Sequence, residues 1–423
     1  MVQIIQEDAL VAASPTTELD RASSAGLSQG AQSDGDHKGR DHKGRDEGMV
    51  ESRKFPHHLI REIFEQPDAL RRTIEPRVSL AEGLVRLDEV HISREELRAV
   101  RRINIVASGT SRHAGMTGQF IMQELAGVPV DVDYASEFEN RDPMIGRGEL
   151  SIFITQSGET ADTNAAQREA RQKGSRTIAI TNVEGSTIAR DADGFIYTHA
   201  GPEISVASTK AFTAQMACLF LFSLYLGEIK QKVSNALARH YIGELLALPQ
   251  KTETILAAAD QVEKLAELYY RVDDFMFLGR AIHYPIAMDG ALKLKEVSYI
   301  HAEGYPTGEA KHGPNALIDF RLPLVIIATC DSKDAGSLAR YEKNVSNMEG
   351  FKKQGATVIA LATAGDATVP KMANHTIFIP QSPELLSPIL EIVPLQLFAY
   401  YVAAKRGLDV DRPRNLVKAV TRE

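Results

Sequence analysis

Short apolar runs alternate with longer amphipathic segments from about residue 100 to the end of the chain. In the first half, runs rich in β-branched residues predict strands at 103–107, 151–155, 177–181 and about 195–198. The periodicity between and after them predicts helices that run through about Leu125, to Lys173 and from about Thr209 to Gly227. Strands that lead at once into helices are typical of a parallel sheet.

The second half repeats this order of elements. Strands are predicted at 275–278, 324–328, 357–361 and 376–379. Helices are predicted from Gly279-Arg280 through about His301, near 336–353 and at about 388–405. We therefore expect an internal duplication and the α/β fold class, as two tandem doubly wound parallel-sheet domains. Ligands of such domains bind at the carboxyl ends of the strands.

This pattern divides the chain into six parts. The first 54 residues are rich in Ser, Gly, Asp and Lys and contain Asp-His-Lys-Gly-Arg twice, at 36–40 and 41–45. They lack the apolar content to offset their chain entropy, so we expect a disordered tail, with Met49 as an alternative start. The remaining parts are a helical lead-in (55–95), a first domain (96–230), a helical connector (231–271), a second domain (272–407) and a C-terminal active-site tail (408–423).

Composition limits the kinds of partner. The 423 residues are 43% hydrophobic and 25% charged, with a net charge of −8 and no basic stripe, so we expect no nucleic-acid partner. Two cysteines, Cys218 and Cys330, give neither a disulfide framework nor a cysteine metal site. The apolar run at 216–226 is too short to cross a bilayer, and residues 2–10 do not resemble a secretory leader. We expect a cytoplasmic protein with no membrane partner.

The strand at 151–155 enters a turn that reads Thr-Gln-Ser-Gly-Glu-Thr at 155–160. Hydroxyls, free backbone N–H groups and the positive end of the following helix converge on one anion in such a turn. The turn has no P-loop lysine, so a small monophosphate fits it better than a nucleoside triphosphate. The alternative is an ordinary helix cap in which Thr160 and Thr163 open the helix.

Seven ordered motifs together resemble sugar isomerase (SIS) domains, and more narrowly the isomerase half of glucosamine-6-phosphate synthase. The likeness spans about residues 55–423, and its motifs lie at 107–111, 156–160, 206–210, 291–296, 299–303, 311–314 and 411–418. The resemblance implies a hexose phosphate substrate and interconversion of a 2-ketose and a 2-amino aldose phosphate. It implies no cofactor and no metal, because proton transfer and imine chemistry need neither.

The resemblance assigns roles to four side chains. Glu296 becomes the base that moves the proton, and Lys293 lies three residues earlier on the same helical face; the alternative is a solvated Lys–Glu pair. His312, in a Gly- and Pro-flanked loop, opens the sugar ring and is shared across the subunits of a homodimer, or it merely caps a carbonyl group. Lys418 forms a Schiff base with the open-chain ketose, or it is a solvated terminal lysine.

The remaining predicted contacts hold the sugar phosphate. Side chains that bind it are Ser111, Thr155, Gln156, Ser157, Thr160 and Ser208, and the backbone groups are those of Val206 and Ala207. Two departures from the synthase pattern stand out. Glu139-Asn140 replaces a basic–aromatic pair, and Val2 follows Met1 where the synthase exposes a cysteine nucleophile of a glutaminase domain.

Without a glutaminase, the resemblance leaves the direction of reaction open. We favour deamination of glucosamine 6-phosphate to fructose 6-phosphate, because free ammonia is scarce at neutral pH. The first alternative is amination of fructose 6-phosphate with ammonia from a separate donor. The second is a sensor that binds a sugar phosphate without turnover, although a sensor would not need Glu296, His312 and Lys418 together.

Overall fold

The computed structural model describes residues 55–421. The tail predicted at 1–54 lies outside the described residues. The lead-in consists of three short helices and a small antiparallel hairpin. Their bounds are α1 (His58–Phe64), α2 (Gln66–Ile74), β1 (Val78–Ser79), β2 (Leu84–Val85) and α3 (Arg94–Ala99). Glu62 on α1 is fully buried, and its carboxylate accepts hydrogen bonds from the backbone of Ile204 and Ser205. The lead-in thus holds a loop of the first domain.

The first domain is a five-stranded parallel sheet in the order β4-β3-β5-β6-β7. Its β-branched central strands are buried on both faces, and Ile103, Ile105 and Ile152 have no exposed surface. The elements are β3 (Arg102–Ala107), α4 (Gly109–Ala126), β4 (Val130–Tyr134), α5 (Ala135–Phe138), β5 (Glu149–Thr155), α6 (Ala161–Gln172), β6 (Arg176–Thr181), α7 (Thr187–Asp191), β7 (Gly194–Tyr197) and α8 (Lys210–Ile229).

Two helices, α9 (Asn235–Leu256) and α10 (Ala259–Tyr269), connect the halves. The second domain has the same topology, with strand order β12-β11-β10-β8-β9, all parallel. Its elements are β8 (Asp274–Gly279), α11 (Tyr284–Ser298), β9 (His301–Pro306), β10 (Leu324–Ala328), α12 (Ala335–Lys353), β11 (Val358–Thr363), α13 (Val369–Met372), β12 (His375–Ile379) and α14 (Ser387–Lys405). The prediction of two doubly wound parallel-sheet domains is confirmed.

The two edge strands β4 and β9 differ from the predicted pattern. Neither was predicted, because each carries polar residues on its outer face and contributes little apolar surface. The helix predicted to run through about His301 ends at Ser298, where Tyr299 adopts a left-handed conformation (φ 61°). His301 instead opens β9 and pairs with Asp274 of β8.

The strand order reverses between β3 and β5 in the first sheet, and between β8 and β10 in the second. Loops leave the carboxyl ends of these strands in opposite directions, which opens a crevice for a ligand. Two helical stretches, Lys210–Ile229 and Glu384–Lys405, are long and apolar enough to cross a membrane, but 89% of each apolar window is buried inside the fold. They serve as core helices that pack against the sheets.

Candidate active site

The turn after β5 forms a hydroxyl-lined cradle at the crevice of the first sheet, and we call residues 155–160 the cradle. Thr155 Oγ1 and Thr160 Oγ1 are hydrogen-bonded at 2.8 Å, and Ser157 Oγ accepts a bond from the Glu159 N–H at 3.2 Å. Thr160 precedes α6 but makes no side-chain capping bond, unlike the helix cap considered as an alternative. Its hydroxyl is directed instead to Thr155, so the cradle concentrates two threonine hydroxyls at the positive end of α6.

Gly158 fixes the shape of the cradle. It has φ of 72°, which L side chains adopt reluctantly, and a Cβ there would lie 2.1 Å from Ser186 Oγ. The carbonyl group of Gly158 also accepts a bond from the Ile188 N–H, and that of Gln156 accepts one from Asn182. The cradle is therefore braced by the loop after β6.

Two further loops border the same crevice. Ser111, in the first turn of α4, accepts a hydrogen bond from Gln215 Nε2 at 3.1 Å. In the loop before α8, the Val206 N–H donates to the Asp411 carbonyl, and the Ala207 carbonyl accepts from Ser205 Oγ. Ser208 is half-buried. The Val206 N–H is thus engaged by the C-terminal tail.

Helix α11 of the second domain carries three charged residues on one face: Asp289, Lys293 and Glu296. Lys293 is 2% exposed, and its Nζ lies 2.5 Å from Glu296 Oε2. Burial lowers the pKa of Lys293, but the carboxylates of Glu296, Asp289 and Glu203 outweigh it and raise that pKa above its usual value. Lys293 is therefore an ammonium ion at neutral pH, paired with Glu296 in a protein interior.

The C-terminal tail crosses the crevice and is anchored at both ends. The Asp411 carboxylate accepts bonds from the backbone N–H groups of His58 and Leu59 at the start of α1, at 2.9 and 2.8 Å. Further on, the Val420 carbonyl accepts a bond from the N–H of Ala161, the first residue of α6. At Val420 the tail therefore contacts the residue that follows the cradle.

Between these anchors, Lys418 Nζ lies 2.6 Å from Glu203 Oε2. The Glu203 side chain has no exposed surface, and its other oxygen accepts the N–H groups of Thr209 and Ala211 at the start of α8. Burial raises the pKa of Glu203, but the Lys418 ammonium and these backbone donors bring it below its ordinary range. Sequence analysis assigned no role to Glu203. The signal available in the sequence was its position shortly before the start of α8.

The structure brings three of the four predicted side chains into one network. Glu203 contacts Lys418 and acts electrostatically on Lys293, which pairs with Glu296. His312 lies apart, exposed on the 3-10 helix Glu309–His312 of the second domain. Within residues 55–421 it forms no hydrogen bond or ion pair with the other members.

The matching crevice of the second sheet is filled by its own ionic side chains. His283 Nδ1 lies 2.8 Å from Glu391 Oε1 and its Nε2 lies 3.3 Å from Glu384 Oε1. Arg340 pairs with Glu384, and Thr329 Oγ1 donates to Glu391 at 2.5 Å. Burial lowers the pKa of His283, but the two carboxylates prevail and raise it to about 9. The duplicated fold thus has one hydroxyl cradle and one ionic cluster.

Comparison with known families agrees with this geometry. The SIS domain model matches residues 96–224 and 268–406, one match in each half. The chain belongs to the SIS domain family. Both SIS domains contain the five-stranded parallel sheets described above, and the cradle lies in the first.

Two curated relatives share this pair of SIS domains. Each is named glutamine--fructose-6-phosphate aminotransferase [isomerizing], one from Chlorobaculum tepidum and one from Symbiobacterium thermophilum. They are 45% identical to this chain over 374 and 376 residues, which cover 88% and 89% of it. The matches cover 60% and 61% of those proteins, so the chain spans about three-fifths of their length.

A solved structure agrees as well. The C-terminal domain of glucosamine-fructose-6-phosphate aminotransferase from Francisella tularensis is 35% identical and superposes with a TM-score of 0.79. The match covers 85% of this chain and 99% of that one. The predicted resemblance to the isomerase half of the synthase is thereby confirmed.

Proposed function

We propose that this chain is a sugar-phosphate isomerase that interconverts glucosamine 6-phosphate and fructose 6-phosphate plus ammonia. The observation that carries the proposal is the continuous network from the cradle to α11. Val420 accepts a hydrogen bond from the first residue of α6, and Lys418 pairs with Glu203. The negative charge of Glu203 in turn helps to raise the pKa of Lys293, the partner of Glu296. A phosphate held in the cradle would set the first two carbons of a hexose among these side chains.

The cradle and its neighbours bind the substrate. Gln156, Ser157 and the two threonine hydroxyls hold the phosphate, assisted by the N-terminal dipole of α6. Ser111, Ser208 and the backbone groups of Val206 and Ala207 contact the sugar hydroxyls. This division places the anion in the first SIS domain and the chemistry beside α11 of the second.

Glu296 moves a proton between C1 and C2 of the open-chain sugar. Its partner Lys293 is buried, and the Lys293 ammonium lies 2.5 Å from the Glu296 carboxylate, which holds the base in one orientation. When Glu296 takes the proton, Lys293 remains to stabilise the negative charge that develops on the neighbouring oxygen. Lys293 therefore orients the base and supports the enediol-like intermediate.

His312 opens the sugar ring from the neighbouring subunit of a homodimer. Its exposed position on the 3-10 helix Glu309–His312 supports this role, since among residues 55–421 the imidazole forms no hydrogen bond or ion pair. Leu317 and Phe320 follow closely and are 62% and 74% exposed, as residues of a subunit contact would be in a single chain.

Lys418 forms an imine with the ketose. Its amine adds to the C2 carbonyl group of open-chain fructose 6-phosphate, the C2–O bond breaks, and water leaves. Ammonia then displaces the lysine, and the proton shift by Glu296 yields the 2-amino aldose. Deamination follows the same steps in reverse.

For the chain alone, we propose that deamination prevails. Ammonium dominates over ammonia at neutral pH, whereas glucosamine 6-phosphate carries its own nitrogen. The test is to supply purified protein with glucosamine 6-phosphate alone and to follow ammonia and fructose 6-phosphate. Glu296→Gln should abolish the release of ammonia. Glu342→Gln, a substitution of an exposed residue on α12, should leave it unchanged. Absence of release from the wild type would contradict deamination.

A second candidate is amination with ammonia from a separate donor protein. The names of the two curated relatives favour the amination reaction. Fructose 6-phosphate with ammonium should then give glucosamine 6-phosphate, whereas glutamine alone should not. A sensor would bind glucosamine 6-phosphate, raise the melting temperature and release no ammonia. In all three cases we place the protein in the cytoplasm, with neither nucleic acid nor membrane as partner.

A further inference from the structure

A buried histidine–aspartate pair links the two SIS domains beside the proposed site. His113 on α4 of the first domain is 7% exposed, and its Nδ1 lies 3.1 Å from Oδ1 of Asp289 on α11 of the second. Asp289 has no exposed surface. Neither residue has a role in the function proposed above.

The chemistry of the pair fixes which atom donates. An ionised carboxylate only accepts hydrogen bonds, so the imidazole Nδ1 must carry the proton that joins the two residues. A buried carboxylate that lost this donor would incur the full desolvation cost of an unmet charge. His113 therefore fixes the orientation of the Asp289 carboxylate.

The orientation of Asp289 matters because of its place on α11. It lies four residues before Lys293, so both project from the same face of the helix. Lys293 pairs directly with Glu296, and the charges of Asp289 and Glu203 act on it from more than 4 Å away, in a region where Lys293 and Asp289 are both buried. A reoriented Asp289 carboxylate would change the electrostatic field at the Lys293 ammonium, whose Nζ lies 2.5 Å from Glu296 Oε2.

We propose that His113 is a positioning residue for the isomerase reaction: it orients Asp289, which sets Lys293 against the base Glu296. The inference rests on the proposed function, because the base it serves is Glu296 of that mechanism. His113 does not touch the cradle, so its loss should leave substrate binding intact and slow the chemical step.

The test compares His113→Ala with His113→Asn. Asn Nδ2 occupies nearly the same place as the imidazole Nδ1 and donates a hydrogen bond, whereas alanine cannot. With glucosamine 6-phosphate, kcat of His113→Ala should fall at least tenfold while KM stays within about twofold, and His113→Asn should recover most of the loss. His301→Ala, which removes the exposed His301–Asp274 pair at 2.8 Å, is the matched control and should change neither constant.

Three results would overturn the inference. One is an unchanged kcat in His113→Ala; another is equal loss in the alanine and asparagine variants, which indicates mere filling of space; the third is a change confined to KM. If the wild type itself releases no ammonia, the proposed function fails instead. In that case, melting temperatures test whether His113 and Asp289 interact. The decrease in melting temperature of the double variant should be smaller than the sum of the decreases in His113→Ala and Asp289→Ala, and additive decreases would overturn the inference.

Discussion

Lys418 Nζ and Glu203 Oε2 lie 2.6 Å apart, although 215 positions separate the residues in sequence. The amine expected to attack the ketose is thus paired with a carboxylate that has no exposed surface. Imine formation needs a neutral amine, so this pair must separate or exchange a proton before the reaction. If Lys418 is the nucleophile that we propose, this arrangement is the resting state of the site.

The pair should also hold the tail in place. Glu203→Gln keeps the acceptor for the Thr209 and Ala211 N–H groups but removes the charge opposite Lys418. We expect carboxypeptidase to digest the C-terminal residues of this variant several times faster than those of the wild type, as followed by intact mass. Glu342→Gln is the control, and equal digestion rates for Glu203→Gln and wild type would contradict the anchoring role.

Protonation of Glu203 at low pH should loosen the tail in the same way as Glu203→Gln. The pKa of Glu203 is lowered in the folded protein, so the stabilisation is complete above the ordinary glutamate pKa of 4.5 and is lost as the pH falls through the lowered value. Wild-type digestion rates should therefore stay level from pH 8 to 5. Acid-stable protease should remove the tail faster only below about pH 4.

Substitution of Lys418 by arginine separates the positive charge of this side chain from its proposed ability to form an imine. Arginine at position 418 keeps the ion pair with Glu203 but remains protonated at all accessible pH values, so Lys418→Arg cannot form an imine. Borohydride treatment with fructose 6-phosphate should add one sugar phosphate to the wild type and none to the variant. Lys405→Arg, which alters an exposed lysine that pairs with Glu263 and Glu267, should still be labelled. An adduct on Lys418→Arg would exclude the assigned role.

The cradle offers a test in which two glycines control for each other. Gly158 and Gly185 both have positive φ, 72° and 65°, but only at Gly158 would a Cβ collide with a neighbour, Ser186. Gly185→Ala should cost about 1–2 kcal/mol of stability from backbone strain alone and leave ligand affinity unchanged. Gly158→Ala should reshape the turn and weaken fructose 6-phosphate binding at least tenfold in calorimetry. Equal affinities for the two variants would remove the cradle as the phosphate site.

The ionic cluster of the second domain predicts a pH dependence of stability. The pKa of His283 is raised from 6.5 to about 9, so its contribution is complete below pH 6.5 and is lost as the pH rises through 9. Urea unfolding of the wild type should show falling stability over that interval. His283→Gln should flatten the dependence and lower stability by about 3–5 kcal/mol at pH 6.5, the usual cost of breaking a buried ion pair. His240→Gln, on the exposed face of α9, should behave as wild type.

The parts of the site that the sequence predicted are contiguous. Thr155 to Thr160 could be recognised because a strand, a turn and a helix start follow each other within a few residues. Lys293 and Glu296 lie on one helix, so their proximity follows from the helical repeat alone. In each case the local chain determines the geometry.

What the sequence did not predict depends on packing over long distances. The role of Glu203 becomes visible only once the tail has been routed across the crevice to place Lys418 beside it. The His113–Asp289 pair requires α4 and α11 to meet across the boundary of the two domains. The edge strands β4 and β9 carry too little apolar surface to stand out before their parallel neighbours are known.

The contrast between the two crevices has a consequence for how such a tandem can diverge. In the function that we propose, the first copy binds the anion, while the second holds the ionic cluster of His283, Glu384 and Glu391 and supplies the reactive groups of α11. Each copy now depends on what the other retained. In that function, the first half alone would bind the sugar phosphate without converting it, and the second half alone would carry the reactive groups without binding the substrate. The same holds for a half exchanged for one from a distant homologue, so selection must act on the two halves as one inherited unit.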